Sequence, residues 1–220
     1  MTYVCADIHG CIEPFNAFLN SIKPDDSVYV IGDAINRGGG LGVLRTIMKS
    51  PNIYMLKGNH ELMMLEDLTE LYYLYDKLEM EKFIGDSLRV GDIGQEQTLR
   101  EFISMTKKEQ KEVIDFIDKL PIYKCITING REFFMAHAKA PEDMEYLEYM
   151  DETEVLFGGH NYDRDFGCTV IIGHTPTFLL NDDKAYRIYR EGTGIDVDCG
   201  LGFGGRLGVL CLETMKEMYF

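Results

Sequence analysis

Thr2-Tyr3-Val4-Cys5-Ala6-Asp7-Ile8-His9-Gly10 begins as a β-rich apolar run and ends in a carboxylate and an imidazole two residues apart. In an extended chain, residues two apart point to the same side, so Asp7 and His9 are placed to share one ion. Alone, such a pair is a weak signal, but the pattern recurs four more times. The run 27–31 enters Gly32-Asp33, followed by Asn36-Arg37-Gly38; the run 52–56 leads to Gly58-Asn59-His60-Glu61. The run 132–136 ends in His137, and the run 169–172 ends in Gly173-His174-Thr175. The chain has five histidines, and four of them (His9, His60, His137 and His174) stand at these run ends. A single histidine there is more often a satisfied structural residue. Four, joined by two aspartates and Asn59, mark a site. Carboxylate, imidazole and amide oxygen form a donor set for manganese, iron or zinc rather than a thiolate site, and Asp33 is suited to bridge two cations.

Outward from these runs, further strands are expected at 122–128, 194–197, 207–212 and 217–220, with helices such as 14–22 and 42–49 after the early strands. The pattern is α/β. From 62 to 120 the composition turns to Leu, Met, Glu and Lys, with Leu65, Leu68, Leu71, Tyr72 and Tyr75, then Phe102, Val113, Phe116 and Ile117, at helical spacing. This segment reads as a helical cap inserted into a single domain over 1–220, its apolar stripe serving the core. Gly10, Gly32, Gly58 and Gly173 fit either turn punctuation or close backbone approach. Residues 200–205 satisfy GxGxxG, but β-like sequence follows and leaves no room for a βαβ unit; a tight glycine loop near the active face is the better reading.

With 220 residues and 45% hydrophobic content the chain can bury a full core. A net charge of −15 argues against nucleic acid or an anionic membrane as the partner, yet allows a small anionic substrate where bound cations invert the local field. Six cysteines without a CxxC pair indicate neither a zinc knuckle nor a redox motif. With no secretory pattern and no apolar run near ~20 residues, a reduced cytoplasmic protein is expected. Nothing indicates an oligomeric state.

Taken together, DIHG at 7–10, GDAINRG at 32–38, GNHE at 58–61, HA at 137–138 and GHTP at 173–176 resemble the phosphoprotein phosphatase branch of the calcineurin-like metallophosphoesterases. The likeness extends to the DCG and GGRLG segments of 198–208, and small bacterial and phage serine/threonine phosphatases are similar in length. The resemblance implies a four-layer α-β-β-α sandwich with two divalent metal ions, manganese foremost, at the sheet edge. It implies that Asp7, His9 and Asp33 hold one metal, and that Asp33 bridges to a second held by Asn59, His137 and His174. His60 becomes the general acid and Arg37 the phosphate grip, with Asn59 and His60 also facing the phosphate. Two cations can lower the pKa of a water from 15.7 towards roughly 7, and the Arg37 fork matches phosphate geometry.

Three departures stand out. Asn36 occupies a place where the family carries the aspartate that supports the acid histidine, and an amide stabilises imidazolium less. Lys139 follows His137-Ala138 where glycine is usual. The chain has no tryptophan, and Leu156-Phe157-Gly158-Gly159-His160 lacks the arginine of small bacterial members, leaving Arg164 or Arg206 to supply a second phosphate contact. His160 reads as a loop residue and Glu61 as a hydrogen-bonding support. The expected function is a phosphomonoesterase acting on phosphoserine or phosphothreonine. The alternatives are a symmetrical diadenosine tetraphosphate hydrolase and a weakly active metal- or phosphate-binding protein acting through partners.

Overall fold

The computed structural model describes residues 1–88, 94–141, 147, 149–159 and 165–220. Two five-stranded sheets stack face to face. The first contains β1 (Thr2–Cys5), β2 (Ser27–Val30), β3 (Ile53–Met55), β9 (Gly208–Cys211) and β10 (Glu217–Tyr219), in the order β10-β9-β1-β2-β3. The second contains β4 (Tyr123–Ile128), β5 (Arg131–Ala136), β6 (Thr169–Ile172), β7 (Tyr189–Glu191) and β8 (Gly194–Asp196), in the order β4-β5-β6-β8-β7. Strands β1, β2 and β3 run parallel, as do β5, β6 and β8, so each sheet delivers three loops to one end of the sandwich.

Alternation along the strands builds the layers. Phe133 and Met135 of β5 face inward, packing with Ile171 and Ile195 against Val4, Ala6, Ile31 and Leu56 of the first sheet. Phe134 and Ala136 face outward and, with Val170 and Ile172, are covered by Val155 and Leu156 of α7 (Glu152–Phe157). The far face of the first sheet carries the main helical layer: α1 (Ile12–Ser21), α2 (Gly42–Lys49), α3 (Asn59–Tyr73), α4 (Lys77–Ser87), α5 (Gln95–Ser104) and α6 (Lys107–Asp118). The architecture is therefore α-β-β-α, with α7 alone forming the fourth layer among the described residues.

The segment read as a cap supplies α3 to α6 and shares the core of the first sheet. Leu68, Leu71, Phe102, Val113 and Ile117 join Phe15, Leu44, Val28, Val30 and Met55 in one apolar cluster. Tyr73 and Tyr75, by contrast, are exposed. Helix α3 begins at Asn59, ahead of the boundary at 62, because the Glu61 carboxylate accepts the Gly58 amide and caps the helix start. Of the expected strands all are present, and β7 is an addition. Its three residues, Tyr-Arg-Glu, are polar and largely exposed, so they carry no alternation to betray it. Among the described residues no helix is long and apolar enough to cross a membrane.

Since Phe102 is fully buried in the cluster shared by sheet and inserted helices, Phe102→Ala should lower global stability by about 3–5 kcal/mol. Urea unfolding followed by circular dichroism and tyrosine fluorescence should show one shifted transition rather than separate loss of α3 to α6.

Candidate active site

The parallel strands end at the same rim, and the polar residues found at those ends in sequence meet there. Asp7 and His9 follow β1, Asp33 follows β2, and Asn59 and His60 open α3 after β3. His137 follows β5 and His174 follows β6. The turns that bring them together are costly: Asp7, His9, Asp33, Asn36, Arg37 and His174 all have φ between 51° and 70°. Left-handed backbone at a non-glycine residue costs on the order of 1–3 kcal/mol and collects at functional sites.

Backbone amides hold the carboxylates. Asp7 Oδ2 accepts from the His174 amide at 2.9 Å, and Asp33 Oδ1 from the His60 amide at 2.9 Å, in the first turn of α3. Each carboxylate thus uses one oxygen on the scaffold and leaves the other facing the imidazoles. The free Asp33 oxygen, Oδ2, lies 3.6 Å from His137 Nε2 and 3.8 Å from both His9 Nε2 and His60 Nε2. Asp7 Oδ1 is 3.8 Å from His9 Nε2. Asp33 Oδ2 therefore stands in the middle of the cluster. Gly58 and Gly173 permit this closeness, since a Cβ at either would collide with Asp33 Oδ1 or Asp7 Oδ2.

Glu61 ties the rim together. Its fully buried carboxylate accepts from the amides of Asp33 (2.8 Å), Ala34 (2.9 Å) and Gly58 (2.9 Å), joining the end of β2 to the start of α3. Burial pushes its carboxyl group up, while these amides pull it down.

The imidazole tautomers follow from their partners. His9 Nδ1 faces the Ile35 carbonyl at 3.2 Å and His137 Nδ1 faces the Ile31 carbonyl at 3.0 Å, so both nitrogens carry the proton. Burial holds both rings well below their usual pKa and hence neutral, with nearby His60 and Arg37 adding to the effect at His9 and His174 adding to it at His137. Their Nε2 lone pairs then point into the cluster. His137 Nε2 lies 2.8 Å from Asn59 Oδ1, and His174 Nδ1 lies 3.1 Å from the same oxygen and 3.2 Å from His137 Nε2. With its Nδ1 protonated, His137 sets an Nε2 lone pair against the Asn59 carbonyl oxygen, an arrangement that a cation between them would relieve. Among the described residues, two groups of ligand atoms that lie within 4.8 Å of one another could hold a cation: His9, Asp33 and His60 and, sharing Asp33, Asp7, Asp33 and His137.

The carboxylates make the same demand. Burial, and the charges of Asp198 and Asp33, raise Asp7 well above the carboxylate range; burial and Glu61 do the same for Asp33. Asp198, two residues past the end of β8, is buried and pushed up to about 7, although the Gly200 amide and Arg37 act against the shift. In the sequence Asp198 stands in the DCG segment, without an assigned role. The signal was available, because the run 194–197 also ends in a carboxylate.

The remaining predicted residues fall as follows. Asn36 Nδ2 lies 3.1 Å from His60 Nδ1. The Arg37 guanidinium lies over the Phe203 ring at 4.1 Å. The backbone of Arg37 is abutted by Gly94 at the start of α5, and Glu101 of the same helix accepts the Leu41 amide at 2.6 Å. The glycine loop 200–205 does lie at the active face: a Cβ on Gly202 would stand 2.6 Å from both Arg37 Cδ and His9 Cδ2. Lys139 turns away toward Glu154 of α7, at 3.7 Å. Arg206 is exposed, its guanidinium 5.3 Å from the ring of Tyr219 on β10, two places from β1 in the sheet. Arg164 and His160 lie outside the described residues.

A family model for calcineurin-like phosphoesterases matches residues 2–197. An uncharacterised protein of Methanocaldococcus jannaschii is 28% identical over 197 residues, covering 87% of this chain and 69% of that protein. A Chromobacterium violaceum protein named as a symmetrical bis(5'-nucleosyl)-tetraphosphatase is 33% identical over 224 residues, covering 98% of this chain and 70% of its own length. Among solved structures, a candidate diadenosine tetraphosphatase superposes with a TM-score of 0.68 at 19% identity, over 100% of this chain and 92% of that one. A Saccharomyces cerevisiae serine/threonine phosphatase superposes with a TM-score of 0.54 at 15% identity, over 94% and 71%. At these identities the structural matches bear on the fold.

Glutamine at position 61 would turn one amide N–H toward another, so Glu61→Gln should cost about 1–3 kcal/mol of stability. By loosening Asp33 and Asn59 it should also weaken metal binding roughly 10–100-fold. Urea unfolding and a metal titration read the two effects separately.

Proposed function

The chain belongs to the calcineurin-like phosphoesterase family, and we propose that it hydrolyses dinucleoside polyphosphates with the help of two divalent cations. The observation that carries the substrate choice is the likeness to the C. violaceum tetraphosphatase, which spans 98% of this chain. Phosphoprotein, the substrate class expected from the motifs alone, becomes the second reading; the yeast phosphatase supports it through fold only.

The residues divide the work as follows. Asp7, His9, Asp33, Asn59, His137 and His174 hold the cations, with manganese the favoured occupant and iron or zinc admissible. Bound there, the ions supply an activated water and neutralise charge on the phosphate. Arg37, partly buried on Phe203, grips phosphate oxygens with a planar fork. His60 Nε2 faces the centre of the cluster and delivers a proton to the departing oxygen. Asn36 sets the ring of His60 through Nδ1. Arg206, packed on Tyr219, and Arg164 remain candidates for contacts to the outer part of an extended substrate.

Asn36 is a second chemical argument for a phosphoanhydride. An alkoxide leaving from phosphoserine requires strong proton donation, which a carboxylate behind the histidine would assist. A nucleoside diphosphate leaves as a phosphate whose last pKa is about 6 to 7, so a smaller fraction of protonated His60 suffices. An amide, which can face Nδ1 as donor or acceptor, suits that lighter demand.

Manganese-loaded protein should release nucleotide from diadenosine tetraphosphate faster than phosphate from a phosphoserine peptide. Preference for the peptide would return the substrate to the second reading, and inertness on all phosphoesters despite bound metal would leave a binding protein. In His60→Ala, kcat should fall about 10²–10⁴-fold with metal content retained. Asn36→Asp should favour the imidazolium, move the basic limb of the pH–rate profile upward, and help the phosphopeptide more than the dinucleotide.

A further inference from the structure

An exposed aromatic shelf borders the cluster on the side of Arg37. The glycine loop 200–205 lies against His9 and Arg37, and at its turn it presents Phe203, which is 48% exposed although it is a large apolar side chain beside a polar centre. One face of Phe203 is taken by the Arg37 guanidinium at 4.1 Å. Its edge meets Phe178 at 6.0 Å and 73°, and Phe178 in turn packs on Tyr186 at 5.1 Å. Leu179, next in the segment that follows the GHTP motif, is 57% exposed. The Phe203 ring is thus held by the Arg37 guanidinium and by Phe178, itself backed by Tyr186, with apolar surface left open next to that arginine.

Building such a shelf only to orient Arg37 would not require exposure, since a buried aromatic ring serves a cation–π contact as well. An open ring ordered by its neighbours is what a planar heteroaromatic group stacks on, and stacking of this kind accepts any base. We infer that Phe203 is a specificity-determining residue, the platform on which one base of a nucleoside polyphosphate rests while Arg37 holds the adjoining phosphate. This inference rests on the dinucleoside polyphosphate reading and adds to it the means by which the nucleoside is told from a phosphorylated side chain. Phe178, in contact with Phe203, borders the same subsite.

The test compares two probes that share a phosphate and differ in the base. Calorimetric titration of manganese-loaded protein with AMP and with ribose 5-phosphate should show AMP binding about tenfold tighter. Phe203→Ala should close most of that gap, and Phe203→Trp should keep it; because the readout is a ratio, a general weakening of the site cancels. Equal binding of the two probes by the unaltered protein, or an unchanged ratio in Phe203→Ala, would overturn the inference. A persistent ratio that depends on Phe203, in a protein that does not cleave diadenosine tetraphosphate, would support the platform while removing the proposed substrate.

Discussion

Buried carboxylates and imidazoles crowd the strand ends in groups that a cation would reconcile. His137 Nε2, His174 Nδ1 and Asn59 Oδ1 are all within 3.2 Å of one another, and the Asp33 oxygen nearest them is 3.6 Å from His137 Nε2. His137 Nε2 and Asn59 Oδ1 meet as two acceptors, because His137 Nδ1 carries its proton to the Ile31 carbonyl, and Asp7, Asp33 and Asp198 repel one another in the same low-dielectric volume. The rest of the structure holds this arrangement in place. Six site residues accept left-handed backbone; an amide from the opposite sheet clamps Asp7, and one from the start of α3 clamps Asp33.

The clamp is distributed so that no single element can relax without moving the others. Glu61 connects β2 with α3; the His174 amide connects the second sheet with Asp7 of the first; the His137 ring reaches the Ile31 carbonyl across the sandwich. Beneath these ties lies the intersheet core of Val4, Ile31, Phe133, Met135 and Ile171. The inserted helices belong to the same system, because α5 abuts the loop that carries Asn36 and Arg37. Core packing thus meets the cost of backbone strain, and the strain sets the angle at which each ligand faces the centre.

Much of this was legible in the sequence because period-two strands with sudden polar ends leave a strong local signature. Asp7, His9, Asp33, Asn59, His137 and His174 were identified from that pattern and do converge. Other features depend on contacts distant in sequence. Nothing around Lys139 says that it turns to Glu154, and nothing around Glu61 says that three amides from two segments meet it. The helices of 62–120 were recognisable by period, but whether they stood apart or extended the outer layer was decided by the matching face of the first sheet. The strand β7 was too short and polar to read, and Phe203 looked like part of a glycine loop until Arg37 was seen beneath it.

The most direct test of this account is the stoichiometry of Mn²⁺ on chelator-stripped protein, measured by equilibrium binding together with thermal unfolding. The account predicts two ions per chain, with the midpoint of unfolding rising by roughly 5 °C or more once Mn²⁺ reaches about 100 times its Kd. Binding of fewer than two ions, or an unfolding midpoint indifferent to Mn²⁺, would contradict the claim that the convergent carboxylates and imidazoles exist to hold a pair of cations.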